Sequence, residues 1–246
     1  MNKQIRLLIE NITDDIFNDG LLNTEDTYTT ISNELFYNYH PKTKQELRKL
    51  LGHLFVERGK DADLNDIDVS NITDMSELFK DLDPHNIDIR YWDVSNVEDM
   101  NFMFSACTNF NCDLSGWDVR NVENMGWMFR RCTKFDCNLS GWDVSNVEDM
   151  SYMFDNCKKL TGKGLENWKP IKCNNMGHMF IGCTNFDCNL SGWDVSNVKN
   201  MRFMFFNCTK FRGKGLNEWK PIKCEYMGHM FDKCNSLNSY PIWYKK

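Results

Sequence analysis

The chain has 246 residues, of which 41% are hydrophobic and 13% aromatic, and this composition excludes an intrinsically disordered protein. No apolar run reaches the roughly 18 residues that a membrane-spanning helix needs, and we identify no signal peptide in this sequence. The net charge of −6 is unevenly distributed, because residues 161–246 hold 13 basic and 6 acidic side chains. Such a gradient steers partners but does not define a fold.

The first 60 residues are predicted to form an N-terminal helical cap. A first amphipathic helix is indicated by apolar residues at helical spacing, namely Ile5, Leu8, Ile9, Ile12 and Ile16. A second helix is predicted to start at the capping box Thr43–Glu46 and to end near Gly59. Its apolar stripe consists of Leu47, Leu50, Leu51, Leu54 and Phe55.

An internal repeat of 25 or 26 residues occupies residues 61–236. Its six clear copies begin at Trp92, Trp117, Trp142, Trp168, Trp193 and Trp219, and a degenerate first copy begins at Ile67. Self-similarity with this period is typical of stacked units that bury their apolar faces against their neighbours. We therefore predict seven turns of a repeat array and a C-terminal capping segment at residues 237–246. Pro170 and Pro221 predict irregular turns, because proline removes a backbone donor.

Each repeat is predicted to contain a short strand followed by a short helix. Leu114, Trp117 and Val119 have the spacing of inward side chains on a strand. The segments Ser95–Glu98 and Ser145–Glu148 match capping boxes. The apolar residues that follow recur at helical spacing, as in Val122, Met125, Met128, Phe129 and Cys132. The predicted fold class is an α/β solenoid, a leucine-rich-repeat-like right-handed array of short parallel strands and short helical turns.

The eleven cysteines fall into columns of the repeat. The main column comprises Cys107, Cys132, Cys157, Cys183, Cys208 and Cys234. A column spreads its thiols along an axis, whereas a zinc site needs converging ligands, so we interpret these cysteines as small buried residues and predict no metal. Their odd number, without an export signal, favours reduced thiols and a cytoplasmic location, with the cell surface as the alternative.

The sequence contains no recognisable catalytic constellation of nucleophile, base and orienting group, so we predict neither an enzyme nor a cofactor. His178 and His229 share a column with aromatic residues and are interpreted as substitutions within that column. A row of acids could suggest calcium, but one like-charged row does not form a cage of oxygen ligands. These carboxylates are expected to face water or to accept hydrogen bonds from nearby turn amides. A column of asparagines is expected to form an amide ladder that satisfies backbone groups.

Two surfaces are candidates for binding a protein partner of unknown identity. The first is the aromatic column of Phe102, Trp127, Tyr152 and Phe203, for which burial between repeats is the competing explanation. The second is an outward charged row of Asp93, Asp118, Asp143, Lys169, Asp194 and Lys220, joined by Lys172 and Lys223. The alternative function is polyanion or nucleic-acid binding through the basic C-terminal half, although the chain lacks nucleic-acid motifs. The oligomeric state stays open.

The repeat motifs resemble those of the BspA-like leucine-rich-repeat surface proteins and their lipoprotein-associated repeat. The resemblance rests on the segments WDVSNVEDMSYMF, FDCNLSGWDVSNV and DLNDIDVSNITDMSELF, and it extends over about residues 41–244. It implies a repeat scaffold that acts in adhesion or protein–protein contact and that does not catalyse a reaction.

Overall fold

The computed structural model describes residues 37–245, so the amphipathic helix predicted around residues 5–16 lies outside the described residues. Helix α1 spans Lys44–Arg58. The Thr43 side chain accepts a hydrogen bond from the Glu46 backbone N–H at its start, and Gly59 ends it with a φ of 81°. Leu47, Leu51 and Leu54 are fully buried against the first repeat. Within residues 37–245, no helix is long and apolar enough to cross a membrane.

The repeats lie on one another in the order of the sequence. Parallel bridges join one residue of each repeat to the next, in the series Asp74, Asp99, Asn124, Asp149, Asn175, Asn200 and Tyr226. These paired residues lie seven positions after the first residue of each copy, for example Asn124 after Trp117. The predicted strand position at residues 114–119 therefore differs from the observed pairing. Leu114, Trp117 and Val119 do point into the core, where each is at most 2% exposed.

Hydrogen-bonded turns occupy the positions where short helices were predicted. Turn bonds run from the Met103 N–H to the Met100 carbonyl (3.2 Å) and from the Cys107 N–H to the Phe104 carbonyl (3.0 Å). The alternate N–H groups donate to the next repeat instead, as Phe104 does to the Met128 carbonyl at 2.9 Å. An α-helix uses these groups internally and could not bond to a neighbour. The only α-helix among residues 37–245 is accordingly α1.

The sequence pattern indicates a helix at these positions because turns and helices both place every third residue on one side. Val122, Met125 and Met128 are buried in the turn segment as they would be in an amphipathic helix. The apparent capping box is also used differently. The Ser95 hydroxyl donates to the Asp93 carboxylate (2.6 Å), and the Glu98 backbone N–H donates to the Thr73 carbonyl in the preceding repeat (2.8 Å).

Tryptophan side chains connect the repeats inside the core. Neighbouring rings stack with centroids 6.0–6.5 Å apart along the column Trp117, Trp142, Trp168, Trp193, Trp219 and Trp243. Each indole N–H donates to the backbone carbonyl of the leucine or isoleucine that lies just before the tryptophan one repeat earlier, as Trp142 does to Leu114 at 2.9 Å. Trp243 belongs to the segment predicted as a C-terminal cap, yet it extends this column and donates to Leu216 at 2.6 Å.

Asparagine side chains add a second set of bonds between repeats. The Asn121 amide donates to the Ser95 carbonyl (2.7 Å), and Asn146 repeats this contact with Arg120 (2.6 Å). The asparagine column therefore satisfies backbone carbonyls of the preceding repeat.

An extra residue precedes each of the two WKPIKC segments, and a short 3-10 helix accommodates it. Helix η1 spans Leu165–Asn167 and η2 spans Leu216–Glu218. Each follows a glycine with positive φ, and a Cβ at Gly164 would lie 2.2 Å from the Ser140 backbone nitrogen. The irregularity predicted from the prolines is thus local, because Asn175 still pairs with its neighbours.

We expect Trp142→Phe to lower the free energy of unfolding by about 2 kcal/mol, because it removes an inter-repeat hydrogen bond and leaves a void in the core. The measurement is equilibrium unfolding in urea. Trp127→Phe is the matched control, since this half-buried ring has phenylalanine in the equivalent place of other repeats, and its effect is expected to stay under about 1 kcal/mol. Equal losses for the two variants would contradict the bonding role of Trp142.

Candidate interaction surface

Six aromatic rings form a continuous ladder on the outside of the repeats. The aromatic ladder comprises Phe102, Trp127, Tyr152, His178, Phe203 and His229. Neighbouring ring centroids lie 4.3–5.0 Å apart, and the ring planes are within 23° of parallel. The structure thus brings together the four predicted aromatic residues and places both histidines among them.

The backbone of the ladder is held in an unfavourable conformation. All six residues have φ between 54° and 61°, a region that is uncommon for residues other than glycine, asparagine, aspartate and histidine. A second left-handed column four residues later contains Asn156, Gly182 and Asn207, which tolerate this conformation well, and also Ala106, Arg131 and Lys233. Four of the six ladder residues, Phe102, Trp127, Tyr152 and Phe203, are of other types, for which this region is uncommon. These four rings therefore occupy positions where backbone energetics alone would favour other side chains.

The ladder presents the edges of its rings to solvent. Five of its rings are half-buried, and His229 at the end is exposed. Each inner ring has both faces covered by its neighbours, so a ligand that stacks on a ring face has no access to them. The accessible ring edges carry partial positive charge and suit apolar or anionic groups of a partner.

Charged groups border the ladder. Arg130 donates to the Asp155 carboxylate at 3.0 Å, and Asp155 is only 5% exposed. The guanidinium of Arg202 lies 5.2 Å from the Phe203 ring centroid, in a cation–π contact. A cavity of about 350 Å³ adjoins Phe102 at one end of the ladder, and one of about 610 Å³ adjoins His229 at the other.

The acidic row has a structural role within its own turns. The carboxylates of Asp93, Asp118, Asp143 and Asp194 each accept a hydrogen bond from the backbone N–H two residues later, at 2.9–3.2 Å. Hydrogen bonds from Ser145 lower the pKa of Asp143, and those from Ser196 lower the pKa of Asp194. Both roles expected for this row are observed, because Asp93, Asp143 and Asp194 are exposed to water and all four acids bond to turn amides.

The lysines of the charged row divide into two groups. Lys169 donates to the Gly192 carbonyl (3.0 Å) and Lys223 to the Asn197 side chain (2.7 Å), so both ammonium groups stabilise neighbouring repeats. Lys172 and Lys220 make no such bond within residues 37–245, and all four lysines are exposed. The two-signed row is consequently less free to bind a partner than its sequence suggests.

The main cysteine column lies in the core beside the phenylalanines. Cys107, Cys132, Cys157, Cys183, Cys208 and Cys234 are free thiols and are at most 9% exposed. Cys132 donates its S–H to the Phe104 carbonyl of the preceding repeat at 3.0 Å, and four later members make the same bond at 2.9–3.0 Å. Burial raises the pKa of Cys107 and Cys234 to about 12. These thiols stay protonated as donors and are poor nucleophiles.

The sequence contains no signal for the hydrogen bond made by the cysteine thiols, because its repeat pattern indicates only small buried residues in this column. The same holds for the left-handed backbone of the ladder. Among residues 37–245, no group of three or more histidine, cysteine, aspartate or glutamate side chains is arranged to hold a metal ion.

We expect His178→Phe to flatten part of the pH dependence of stability. Burial between Tyr152 and Phe203 lowers the pKa of His178, so the unfolded chain binds a proton at this site more readily than the folded chain. Acidification from about pH 7 to about pH 5 therefore favours unfolding of the wild type through this residue. Urea unfolding across this range should show the variant losing less stability than the wild type, whereas parallel curves would refute the assignment.

The family relationship comes from comparison with known proteins. A family described as "Mycoplasma protein of unknown function, DUF285" matches residues 49–168 and 156–242. No curated protein and no solved structure matches the chain significantly. The two matched ranges together cover most of the chain and include all seven repeats. The chain therefore belongs to the DUF285 family of Mycoplasma proteins of unknown function.

Proposed function

We propose that this protein is a non-enzymatic scaffold that binds a partner protein through the aromatic ladder. The observation that carries the proposal is the unbroken stack of six rings, four of which lie at left-handed positions that other side chains would occupy at lower cost. Aromatic side chains held rigidly at a surface lose little entropy on binding and supply most of the energy in many interfaces.

The partner that fits this surface presents a ridge of apolar side chains with acidic groups beside it. Ring edges attract such groups, and Arg202 lies on the Phe203 ring at the border. The inter-repeat stacking fixes the ring spacing near 5 Å, which approaches the spacing of neighbouring strands in a sheet. A regular partner surface could therefore contact several rungs at once.

We also propose that the repeats form a leucine-rich-repeat-like solenoid of the BspA-like type, with right-handed turns. The repeat motifs support this assignment, and so does the succession of parallel bridges between repeats. The resemblance to that family of surface proteins favours an adhesion-type or protein-binding role.

Polyanion binding is the weaker alternative. It relies on the excess of lysine in the C-terminal half, but the ammonium groups of Lys169 and Lys223 already bond within the protein. The aromatic ladder also exposes ring edges, whereas nucleic-acid bases stack on ring faces.

We expect the double variant Trp127→Asn, Tyr152→Asn to weaken partner binding at least about tenfold, because it removes two central anchors. Asparagine tolerates the left-handed backbone, so the fold is retained. A photo-crosslinking amino acid at position 152 identifies the partner, which is then purified and titrated against the wild type and the variant. Position 140, an exposed serine distant in the repeat, serves as the crosslinking control.

Two outcomes would refute the proposal. One is equal affinity of the purified partner for the wild type and the double variant. The other is a crosslinking pattern at position 152 that does not differ from that at position 140. A matched charge variant, Lys172→Glu with Lys220→Glu, is expected to change the affinity little unless the polyanion alternative holds.

We propose a cytoplasmic location, with the cell surface as the alternative. All eleven cysteines, each within the described residues, are free thiols. Alkylation of the native-source protein before and after reduction, followed by mass spectrometry, is expected to count eleven free thiols. Bridged thiols would overturn the cytoplasmic location.

A further inference from the structure

The last described repeat has an open hydrogen-bonding edge. In the repeat before it, the N–H groups of Met201, Phe203, Phe205 and Asn207 donate to carbonyls of the following repeat at 2.7–3.1 Å. The equivalent N–H groups of the last repeat belong to Met227, His229, Phe231 and Lys233. Within residues 37–245 these four donors have no acceptor. Such a row of unsatisfied donors is a template for another chain.

The opposite end of the repeats is closed. There the first repeat would offer free carbonyls, but Arg48 of α1 donates to the carbonyls of Leu78 (2.8 Å) and Lys80 (2.5 Å). Lys44 of the same helix bonds to the Ser76 hydroxyl at 2.8 Å. At the last repeat, Tyr240 and Tyr244 pack against the Phe231 ring, with centroids 5.9 Å and 4.9 Å away, but the four backbone N–H groups have no acceptor among the described residues.

The positions of the backbone donors and acceptor at the open edge limit which peptide segments can pair with it. It offers four backbone N–H donors and one backbone acceptor in register with them, the Glu225 carbonyl. In the preceding repeat, the equivalent carbonyl of Lys199 accepts a hydrogen bond from the Glu225 N–H at 2.9 Å. An incoming segment must therefore present carbonyls at alternate residues, as the native repeats do at Gly228 and Met230. A peptide that takes up the turn conformation of a native repeat meets this requirement.

The surroundings of the edge indicate apolar and acidic side chains on that peptide. Tyr226 is 59% exposed and Ile222 is 79% exposed. The adjoining cavity of about 610 Å³ is lined by the basic side chains of Lys233 and Lys245. The wall of this cavity also contains the carboxylate of Asp232, which is hydrogen-bonded to the His229 ring at 2.8 Å. Residues 161–246 carry the basic excess of the chain.

We propose that this edge binds an acidic peptide segment of a partner protein, which takes up the turn conformation of a native repeat and adds to the last repeat as a further rung. The site is separate from the central rungs of the aromatic ladder, so it goes beyond the function proposed above. The backbone N–H groups supply affinity, while Lys233 and Lys245 select acidic side chains.

The test uses the full chain and a synthetic peptide of residues 95–106, SNVEDMNFMFSA. In the native protein this segment already pairs with such donors, because the carbonyls of Asp99 and Asn101 accept from Met75 and Glu77. Amide hydrogen exchange is followed by nuclear magnetic resonance, and peptide affinity is followed by fluorescence anisotropy. A peptide of the same composition in scrambled order is the control.

In the free protein, the N–H groups of Met227, His229, Phe231 and Lys233 are expected to exchange faster than their counterparts one repeat earlier. Saturating peptide is expected to slow their exchange at least about tenfold. Protection of these four groups in the free protein would overturn the proposal, as would unchanged exchange with the peptide or equal protection by the scrambled peptide.

A pair of charge variants tests the acidic selectivity. Lys233→Glu with Lys245→Glu is expected to weaken peptide binding at least about threefold, and added salt should weaken wild-type binding. The matched variant, Lys158→Glu with Lys159→Glu, changes the net charge equally on an interior repeat and should bind like the wild type. Equal affinity of the two variants would overturn selection by the lysines. Because Trp127→Asn with Tyr152→Asn leaves this edge intact, its peptide affinity separates a failure here from a failure of the aromatic ladder.

Discussion

Backbone hydrogen bonding between successive repeats is the constraint on which the rest of the structure depends. Alternate N–H groups of each turn segment donate to carbonyls of the next repeat, while the intervening groups close turns within their own repeat. This division satisfies the main chain without long strands or helices. It also forces identical positions of neighbouring repeats into register, so each side-chain type forms a column.

The columns stabilise the repeats in different ways. Tryptophan, asparagine and cysteine side chains each donate to a backbone carbonyl of the preceding repeat, as Trp142, Asn121 and Cys132 do. The cysteine column thus combines the packing of a small apolar residue with a weak hydrogen bond, and burial keeps its thiols protonated. Because these side chains bond within the protein, we expect partners to be recognised by the outside of the repeats and by their ends.

The two proposed binding regions follow from the same stacking. Register brings the rings of Trp127 and Tyr152 within 5.0 Å of one another and makes a continuous ladder from residues that are 25 positions apart. Register also leaves unsatisfied donors at the last described repeat, whereas α1 covers the first through Arg48. A repeat scaffold of this kind specifies a shape, and its partners are set by a few exposed columns and edges.

The sequence by itself determined the repeat, its period, the start and end of α1 and the inward side chains, because the period and the burial pattern depend only on residue spacing. It also placed the aromatic and cysteine columns. Only the tertiary structure decided that turns replace the predicted short helices, since residues such as Val122 and Met125 have a spacing that suits both. It likewise decided that the ladder backbone is left-handed. Those features arise from hydrogen bonds between repeats, which no local pattern encodes.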